Sequence, residues 1–470
     1  MSLHYTSDAS ISIRPISRNV SDYTRSGPTD LYKKFSNLNP KIHPFDRARE
    51  YVRALNTTKL DRVFARPYLH SYDLHIDTVN SITTIPNDIN NIISVDASGN
   101  IIGYNIALKK CNFRINNAHT SAIRGVACTS DGEHFITCSL DSTVKLYNYQ
   151  QCIDRYTQSH HTTTIPPQHQ WLGESAYNSV DTYYNSSDSE YSDTFVTGGS
   201  NVSLWNIHRS EPIHSFTWGV DNINTVQYNR VECNVLASTA SDRNIVLYDV
   251  RSKSPIRKIV MTMQTNTLCW NPQQAYIFST GNEDTNAYTF DMRNLSHAIQ
   301  VYEDHVSAVM SLDYNPTGTE LVTGSYDKTI RLYSIDTGHS RDVYYTKRMQ
   351  RLFSVRYTLD SKYVVSGSDD SNVRVWKSNA SQKLKPVYGR ERLADNYKQK
   401  LKLKYQHIPQ IQRIARHRHL PKMIYKAIKL KHIARQSVKR KADRVRAHTK
   451  PDKQQPYVSK KQTVVKEQLE

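Results

Sequence analysis

The chain has 470 residues, 38% of them apolar, and 62 Lys+Arg stand against 43 Asp+Glu for a formal charge of +19. That is enough apolar material for a core and too much length for one small domain, so wholesale disorder and a minimal stapled scaffold are both excluded. Cys111, Cys128, Cys138, Cys152, Cys233 and Cys269 form no CxxC pair, which excludes a zinc knuckle or disulfide framework and fits a reducing compartment.

No apolar run nears the ~18 residues that a membrane span needs. The opening MSLHYTSDASISIRP lacks the apolar stretch of a secretion signal. Residues 1–35, rich in Ser, Thr and Arg, are expected to be disordered. Residues 36–65 read as a helical segment: after Pro44, Ala48, Tyr51, Val52, Leu55 and Leu60 fall near helical spacing. The expected partner of that apolar face is the underside of the domain that follows.

Residues 66–380 repeat. Seven segments end in a turn, a short β-rich run and an aromatic, at Tyr104, Tyr147, Trp205, Tyr248, Phe290, Tyr333 and Trp376. The intervals are 43, 58, 43, 42, 43 and 43 residues. A period near 43 matches propeller blades of four short strands, ~40–45 residues each. The fold expected is therefore an all-β, seven-bladed WD40-type propeller, with an N-terminal helical segment and a basic α-helical C-terminal extension. The one long interval places a polar loop insertion at about 150–192, its extra residues falling in HQWLGESAYNSVDTYYNSSDSEYSD.

His119, Ser139, Asp141 and Tyr147 recur as His305, Ser325, Asp327 and Tyr333 with identical spacing, and His75 and Tyr104 keep a similar separation. They read as a hydrogen-bonded tetrad: a carboxylate orients an imidazole, which reaches a strand hydroxyl and then the aromatic. A hydrolase triad uses the same residue types. A catalytic set occurs once in a cleft, however, whereas this one recurs blade after blade, so the structural reading is preferred. Phosphate-loop, dinucleotide, zincin and nucleophile-elbow motifs are absent. His160-His161 and His417/His419 have no accompanying Cys or spaced carboxylates, so no metal, cofactor, small-molecule substrate or catalytic residue is assigned.

The charge is concentrated at the end. From Lys383 to Glu470 there are 26 Lys+Arg and 6 Asp+Glu, against 36 and 37 in the rest of the chain. A neutral body with so basic a tail points to a polyanionic partner, nucleic acid before membrane. Leu393, Tyr397, Leu401 and Tyr405 step by four, Pro409 and Pro421 interrupt, Ile411 and Ile414 mark a middle piece, and Met423, Ala427, Ile433, Ala434 and Val438 line a third ending near Arg446. Residues 381–450 are thus expected to be a basic domain of three helices, and 451–470 a flexible tail. The tail's apolar stripes lack the Trp/Phe anchors of a membrane-surface helix, so no membrane partner is expected.

NLNPKIHPFDRAREYVRALNTTKLDRVFARP, DHVSAVMSLDYNPTGTELVTGSYDKTIRLY, GHSRDVYYTKRMQ and IPQIQRIARHRHLPKMIYKAIKLKHI together resemble one family over about residues 36–450. It is the Sof-type WD-repeat proteins of the U3 small nucleolar ribonucleoprotein, part of the small-subunit processome. The departures are Tyr345 in place of an expected His, few glycines and the long polar loop after Tyr147. The resemblance implies a non-catalytic nucleolar subunit needed for pre-rRNA processing and 18S maturation, in contact with U3 RNA, pre-rRNA and other processome proteins. Charge and exposure select Arg413, Arg416, Arg418, Lys422, Lys439, Arg440 and Lys441 for RNA, with Arg341, Lys347 and Arg348 second. Lys439-Arg440-Lys441 also suits a nuclear import signal. The alternative is a substrate receptor of a cullin-RING ubiquitin ligase, as animal members are described. Asp249/Arg251 and Asp291/Arg293 resemble the WDxR box that docks the ligase adaptor, although each Arg could simply pair with its own Asp.

Overall fold

The computed structural model describes residues 45–158, 165–184, 193–217, 222–384, 386–450, 453–454 and 459–469. The expectation of disorder at 1–35 and the His160-His161 pair lie outside them. Five helices are described: α1 (Asp46–Val63), α2 (Tyr149–Gln158), α3 (Gly389–Tyr405), α4 (Pro409–Arg416) and α5 (Lys422–His448). None is long and apolar enough to cross a membrane. The chain forms two compact units. One holds Arg66–Ala380 with Arg418–Glu470, and the other holds the chain before Arg66 with Ser381–His417.

The larger unit carries seven antiparallel sheets, each built on four consecutive strands in a meander, apart from the last, and the fourth has a fifth strand added. Blades 1 to 6 occupy residues 79–115, 123–172, 179–216, 223–261, 265–302 and 309–344. Blade 7 takes three strands from 352–377 and its outer strand from Tyr68–Tyr72, which pairs antiparallel with Val373–Lys377. This exchange of ends joins the first and last blades and leaves the ring without an open seam. The first strands of successive blades lie side by side around a central channel.

Second strands such as Glu320–Ser325 and Tyr363–Ser368 are buried on both faces, because each blade is sandwiched between two neighbours. Aromatics fill the inter-blade spaces: Phe113 stacks on Phe135, Phe135 on Tyr147, and Tyr344 on Trp376, at 5.3–5.9 Å between centroids. The scarcity of glycine is resolved in the turn between second and third strands. Ser142, Arg243, Thr285, Lys328 and Ser371 all take left-handed φ of +59° to +74°, where Gly would be the usual choice. In four of these turns the preceding Asp carboxylate accepts the N–H two residues on: Asp141 from Thr143, Asp242 from Asn244, Asp284 from Asn286 and Asp327 from Thr329, at 2.9–3.3 Å. The Asx turn does the work that glycine does elsewhere.

Two boundaries in the larger unit differ from those read in the sequence. The 150–192 stretch is not simply a loop: α2 buries Tyr149 and Cys152 against the Phe113–Phe135–Tyr147 cluster, 169–172 is the outer strand of blade 2, and 179–182 is the inner strand of blade 3. The rest of the expected insertion, 159–164 and 185–192, lies outside the described residues. The end of the chain is likewise structured. Val464–Leu469 adds antiparallel to Ser254–Met261 as a fifth strand of blade 4.

In the smaller unit, α1 packs on α3 and α4 around Ala54, Leu401 and Ile411, flanked by Tyr51, Leu55, Tyr405 and Ile408. Glu50 accepts hydrogen bonds from Lys404 and Tyr405, Asp61 pairs with Lys402, and Arg62 donates to the Ala415 carbonyl at 2.5 Å. Of the apolar stripe predicted in the N-terminal segment only Tyr51 and Leu55 pack here, while Ala48, Val52 and Leu60 are exposed and Ala54 takes the buried place, and the partner is the first half of the basic tail. The three predicted tail helices exist, yet they do not form one domain: α3 and α4 join α1, while α5 belongs to the propeller unit.

Candidate partner and nucleic-acid interfaces

The histidines of the repeated His-Asp sets are buried, as are Asp96 and Asp327, and Asp141 is partly buried. His119 Nδ1 lies 3.0 Å from Asp141 Oδ2 and its Nε2 2.9 Å from Thr137 Oγ1. His305 repeats this with Asp327 at 2.9 Å and Thr323 at 2.5 Å, and His75 with Asp96 at 3.1 Å and Ser94 at 2.6 Å. The strand hydroxyl is therefore Thr137 or Thr323, one pleat before the predicted Ser139 and Ser325. Those serines brace the turn instead. Ser139 donates to Ala122 O and Ser325 to Ser307 O, and each accepts the N–H of its Asp at 3.2 Å. The link from strand hydroxyl to aromatic is made in other blades, with Trp205 donating to Thr197 and Trp376 to Ser366 at 2.8 and 2.9 Å and Ser238 donating to the Tyr248 hydroxyl at 3.2 Å. The hydroxyls of Tyr147 and Tyr333 find no partner among the described residues, and their rings pack on Phe135 and Tyr302.

Burial holds His119 down at about 4 and His305 below its ordinary value, so both are neutral at physiological pH. Burial alone would raise Asp141 and Asp327, but their histidine and threonine partners outweigh it and keep both carboxyls ionised. No nucleophile faces a cleft here. Burial also pushes the thiols of Cys128, Cys138, Cys152 and Cys269 up to about 12. Among the described residues no three His, Cys, Asp or Glu side chains are placed to hold a metal.

The second half of the tail straps the propeller. Arg418 donates through Nε and Nη2 to the Ser340 carbonyl in blade 6 at 3.1 and 2.7 Å, and Tyr345 meets His419 at 2.5 Å. From α5, Lys431 Nζ donates to Thr285 Oγ1, Glu303 O and His305 O at 2.5, 3.2 and 2.6 Å. Burial, with Arg435 alongside, pushes Lys431 down to about 8, which leaves it a cation at neutral pH. Arg435 binds Glu303 and Asn286, and Lys460 also reaches Glu303. The strap then passes Ala298, whose N–H donates to Lys461 O, and ends in the fifth strand of blade 4. Lys431 and Arg435 were not singled out in the sequence, where nothing separates them from the other basic residues of the tail. Val464-Val465 was the only local hint of the strand.

Against this framework the basic residues selected for RNA fall into three groups. Lys422, Lys439, Arg440 and Lys441 are exposed on α5, and Lys347 and Arg348 are exposed on the loop after blade 6. Arg413 and Arg416 are exposed on α4, in the other unit. Arg418 and Arg341 hold protein groups: Arg341 pairs with Glu320 and Asp342 and donates to Ser378 O at 2.7 Å. Tyr425, 62% exposed, shares the basic side of α5, where a ring could stack on an unpaired base.

The paired arginine boxes end the third strands of blades 4 and 5. Arg293 pairs with Asp291, Nε to Oδ1 at 3.1 Å and Nη2 to Oδ2 at 2.8 Å, and its guanidinium lies 4.4 Å over the Tyr276 ring. Arg251 is held to Asp249 through its N–H at 2.9 Å. Both arginines are about two-thirds exposed, at 66% and 65%. Thr285, which receives Lys431, lies in the turn just before the strand that Asp291 ends, so strap and box stand at opposite ends of one five-residue strand, about 17 Å of extended chain.

The channel between the inner strands is a cavity of about 310 Å³ that holds Asp181, Tyr184, Arg230, Asp313 and Arg356. Asp313 ties blade 6 to blade 7 by accepting Tyr357 N–H at 2.7 Å and pairing with Arg356 at 3.3 Å. Asp181 makes the equivalent tie to Tyr228 N–H at 2.8 Å and accepts Tyr184 O–H at 3.2 Å, but with no cation bonded to it, burial pushes its carboxyl up to about 6.

Residues 378–465 match the Sof1-like domain, and 109–148, 296–334 and 336–377 match the WD domain, G-beta repeat. The WD40 propeller domain of Doa1 superposes with a TM-score of 0.55 at 15% identity, covering 66% of this chain and 96% of that one, a likeness of fold. The chain is 44% identical to DDB1- and CUL4-associated factor 13 of Xenopus laevis, covering 93% of this chain and 96% of that protein. To the Homo sapiens protein of the same name it is 43% identical, over 96% and 98%. To Protein SOF1 of Saccharomyces cerevisiae it is 42% identical, over 96% and 94%. With near-full-length identity above 40% and a strapped propeller ending in the matched domain, the chain belongs to the Sof1-like WD-repeat family.

Proposed function

We propose that this protein is a non-catalytic scaffold subunit of the U3 small nucleolar ribonucleoprotein and small-subunit processome, required for pre-rRNA processing and 18S maturation. It acts in the nucleolus, binding proteins through the propeller and RNA through the basic tail. The observation that carries the RNA role is the division of labour on α5. Lys431 and Arg435 lock the helix to blades 5 and 6, while Lys422, Lys439, Arg440 and Lys441 stay in solvent. A cationic surface fixed on a rigid body lays charge along phosphates without base selection, so binding should weaken by roughly 0.7–0.9 log units per log unit of salt for each phosphate neutralised. Ultraviolet crosslinking of the tagged protein in cells, followed by sequencing of the attached RNA, tests this. Reads concentrated on U3 RNA and the 5′ part of pre-rRNA are expected. A background-level library rejects RNA contact.

The second reading is adaptor docking in a cullin-RING ligase, the association that the animal relatives' names describe. It is favoured by Arg251 and Arg293, exposed on adjacent blades and held in place by Asp249 and Asp291. Pull-down of the adaptor with wild type and with the Arg251→Ala/Arg293→Ala pair tests it, and no capture by wild type rejects it.

A further inference from the structure

The exposed apolar residues of α5 are not scattered. Met423, Leu430, Val438 and Val445 are 78%, 67%, 67% and 65% exposed, and they are spaced 7, 8 and 7 residues apart. At 3.6 residues per turn those steps return to one side of the helix, giving a seam about 33 Å long at 1.5 Å per residue. Ala427 and Ala434 fill the same line. This side borders the one that holds Lys431 and Arg435 against the propeller, Val438 standing seven residues from Lys431, yet all four side chains stay exposed with the strap docked. Four large apolar side chains left in water along a single line mark a surface that is covered in use.

The shape and charge of the seam specify its occupant. A narrow stripe, within a quarter of the helix circumference, is the geometry that the ridge of another helix fills, with a row of apolar residues at a similar period. Beside the line stand Lys426 and Arg444, and Lys441 falls on it between Val438 and Val445, all exposed, while Asp443 is the single acid of the helix. Phosphates would neutralise that cationic border but leave the apolar line wet, and a lipid surface is disfavoured by the absence of Trp and Phe. We propose that α5 docks an amphipathic helix of a partner protein, apolar along one line and rich in Asp and Glu beside it. The partner's apolar line seats on Leu430 and Val438, and its acids face Lys426 and Arg444. This surface is additional to the RNA contact, which uses Lys422, Lys439 and Arg440 away from the stripe, with Lys441 alone common to both.

The test places a photo-crosslinking benzoylphenylalanine at Leu430 in the full chain, expressed in cells, and maps the adducts by mass spectrometry. A control carries the same residue at Leu108, another exposed apolar position in blade 1. The expected adduct is a peptide of another protein with helical apolar spacing and net negative charge. Adducts with RNA, adducts with residues 46–63 or 389–416 of this chain, or a yield no higher than at Leu108 overturn the proposal. A second measurement uses Leu430→Gln/Val438→Gln, which keeps every charge of α5 and its clamp. Recovery of the crosslinked partner with this variant should fall at least tenfold while crosslinked RNA stays within twofold. An unchanged partner yield, or an equal loss of RNA, overturns it. A failure of RNA crosslinking by wild type would reject the RNA reading and leave this one standing.

Discussion

Lys431 of α5 donates to the backbone carbonyl of His305 at 2.6 Å, and the ring of that same histidine is clamped between Asp327 and Thr323. The strap is thus anchored on one of the most rigid points of the propeller. Hydrogen bonds from a charged donor contribute ~1.5–3 kcal/mol each, less when shared. Lys431→Met should therefore release α5 without unfolding the blades. The expected result is at least tenfold faster proteolysis and hydrogen exchange across 422–448, with protection of Glu320–Ser325 unchanged. Loss of protection throughout blade 6 would mean that the strap is part of the propeller core.

The tetrads make a paired prediction. Thr323→Val removes the hydroxyl that donates to Nε2 of the buried neutral imidazole and should cost about 1–3 kcal/mol, whereas Ser325→Ala removes a turn brace and should cost about 0.5–1.5 kcal/mol. Denaturant melts of both variants decide which residue belongs to the network. Acid acts on the same groups. His119 and His305 have folded values below the unfolded ~6.5, so the unfolded chain binds the extra protons and stability falls as pH drops from 6.5 towards 4. Asp141 and Asp327, also lowered, add a loss below the unfolded ~4. His119→Gln should flatten the upper part of that curve.

Asp181 has the opposite sign. Its folded value of about 6 lies above the unfolded one, so the fold binds the extra proton and gains stability as pH falls from 6 to 4. Asp181→Asn keeps an acceptor for Tyr228 N–H and removes the buried charge. It should stabilise the protein at pH 8 by about 1–3 kcal/mol and have no effect at pH 4, as chemical melts at the two values will show. Equal stability of variant and wild type at pH 8 would mean that Arg230 neutralises the carboxylate in solution.

The propeller was legible because its repeat writes an aromatic about every 43 residues with one longer interval of 58, and the strap was not, because it is written once. The pattern His119–Asp141 survives translation into structure unaltered, since a turn and a loop at fixed spacing place both. Thr137 and Ser139 share one face of a strand, so alternation could not tell which of them meets the imidazole. Tail helices could be read from Pro409 and Pro421 and the apolar steps between. Their division between two units could not, because Leu401 and Ile411 advertise an apolar face without naming Ala54 as its partner. For the same reason a basic composition does not distinguish Arg418, spent on the Ser340 carbonyl, from Arg440, left in solvent.

The fifth strand of blade 4 gives a prediction about the sheet edge. Val464–Leu469 covers Arg257–Met261, whose backbone would otherwise face water as an unpaired edge. Lys466→Pro removes the ladder donor opposite Val260 and cannot be accommodated in a paired strand. Amide exchange at Arg257–Val260 should accelerate, with self-association visible by light scattering at high concentration. Unchanged exchange would show that the edge is protected without the terminal strand.

Arg251 and Arg293 offer the sharpest separation of stability from partner choice. Each is about two-thirds exposed, so Arg251→Ala/Arg293→Ala should alter propeller stability by no more than about 0.5 kcal/mol, the range of surface substitutions. Interface arginines with fixed guanidinium planes are frequent hot spots, and truncating two of them should weaken an adaptor complex by ~2 kcal/mol or more, a loss of at least thirtyfold. Pre-rRNA cleavage should continue at the wild-type rate if ligase docking and ribosome assembly use separate surfaces, as the blade length between Thr285 and Asp291 implies. Measured together in one strain, adaptor pull-down lost with cleavage intact assigns the boxes to docking. Cleavage lost with the adaptor unbound even by wild type assigns them to the processome.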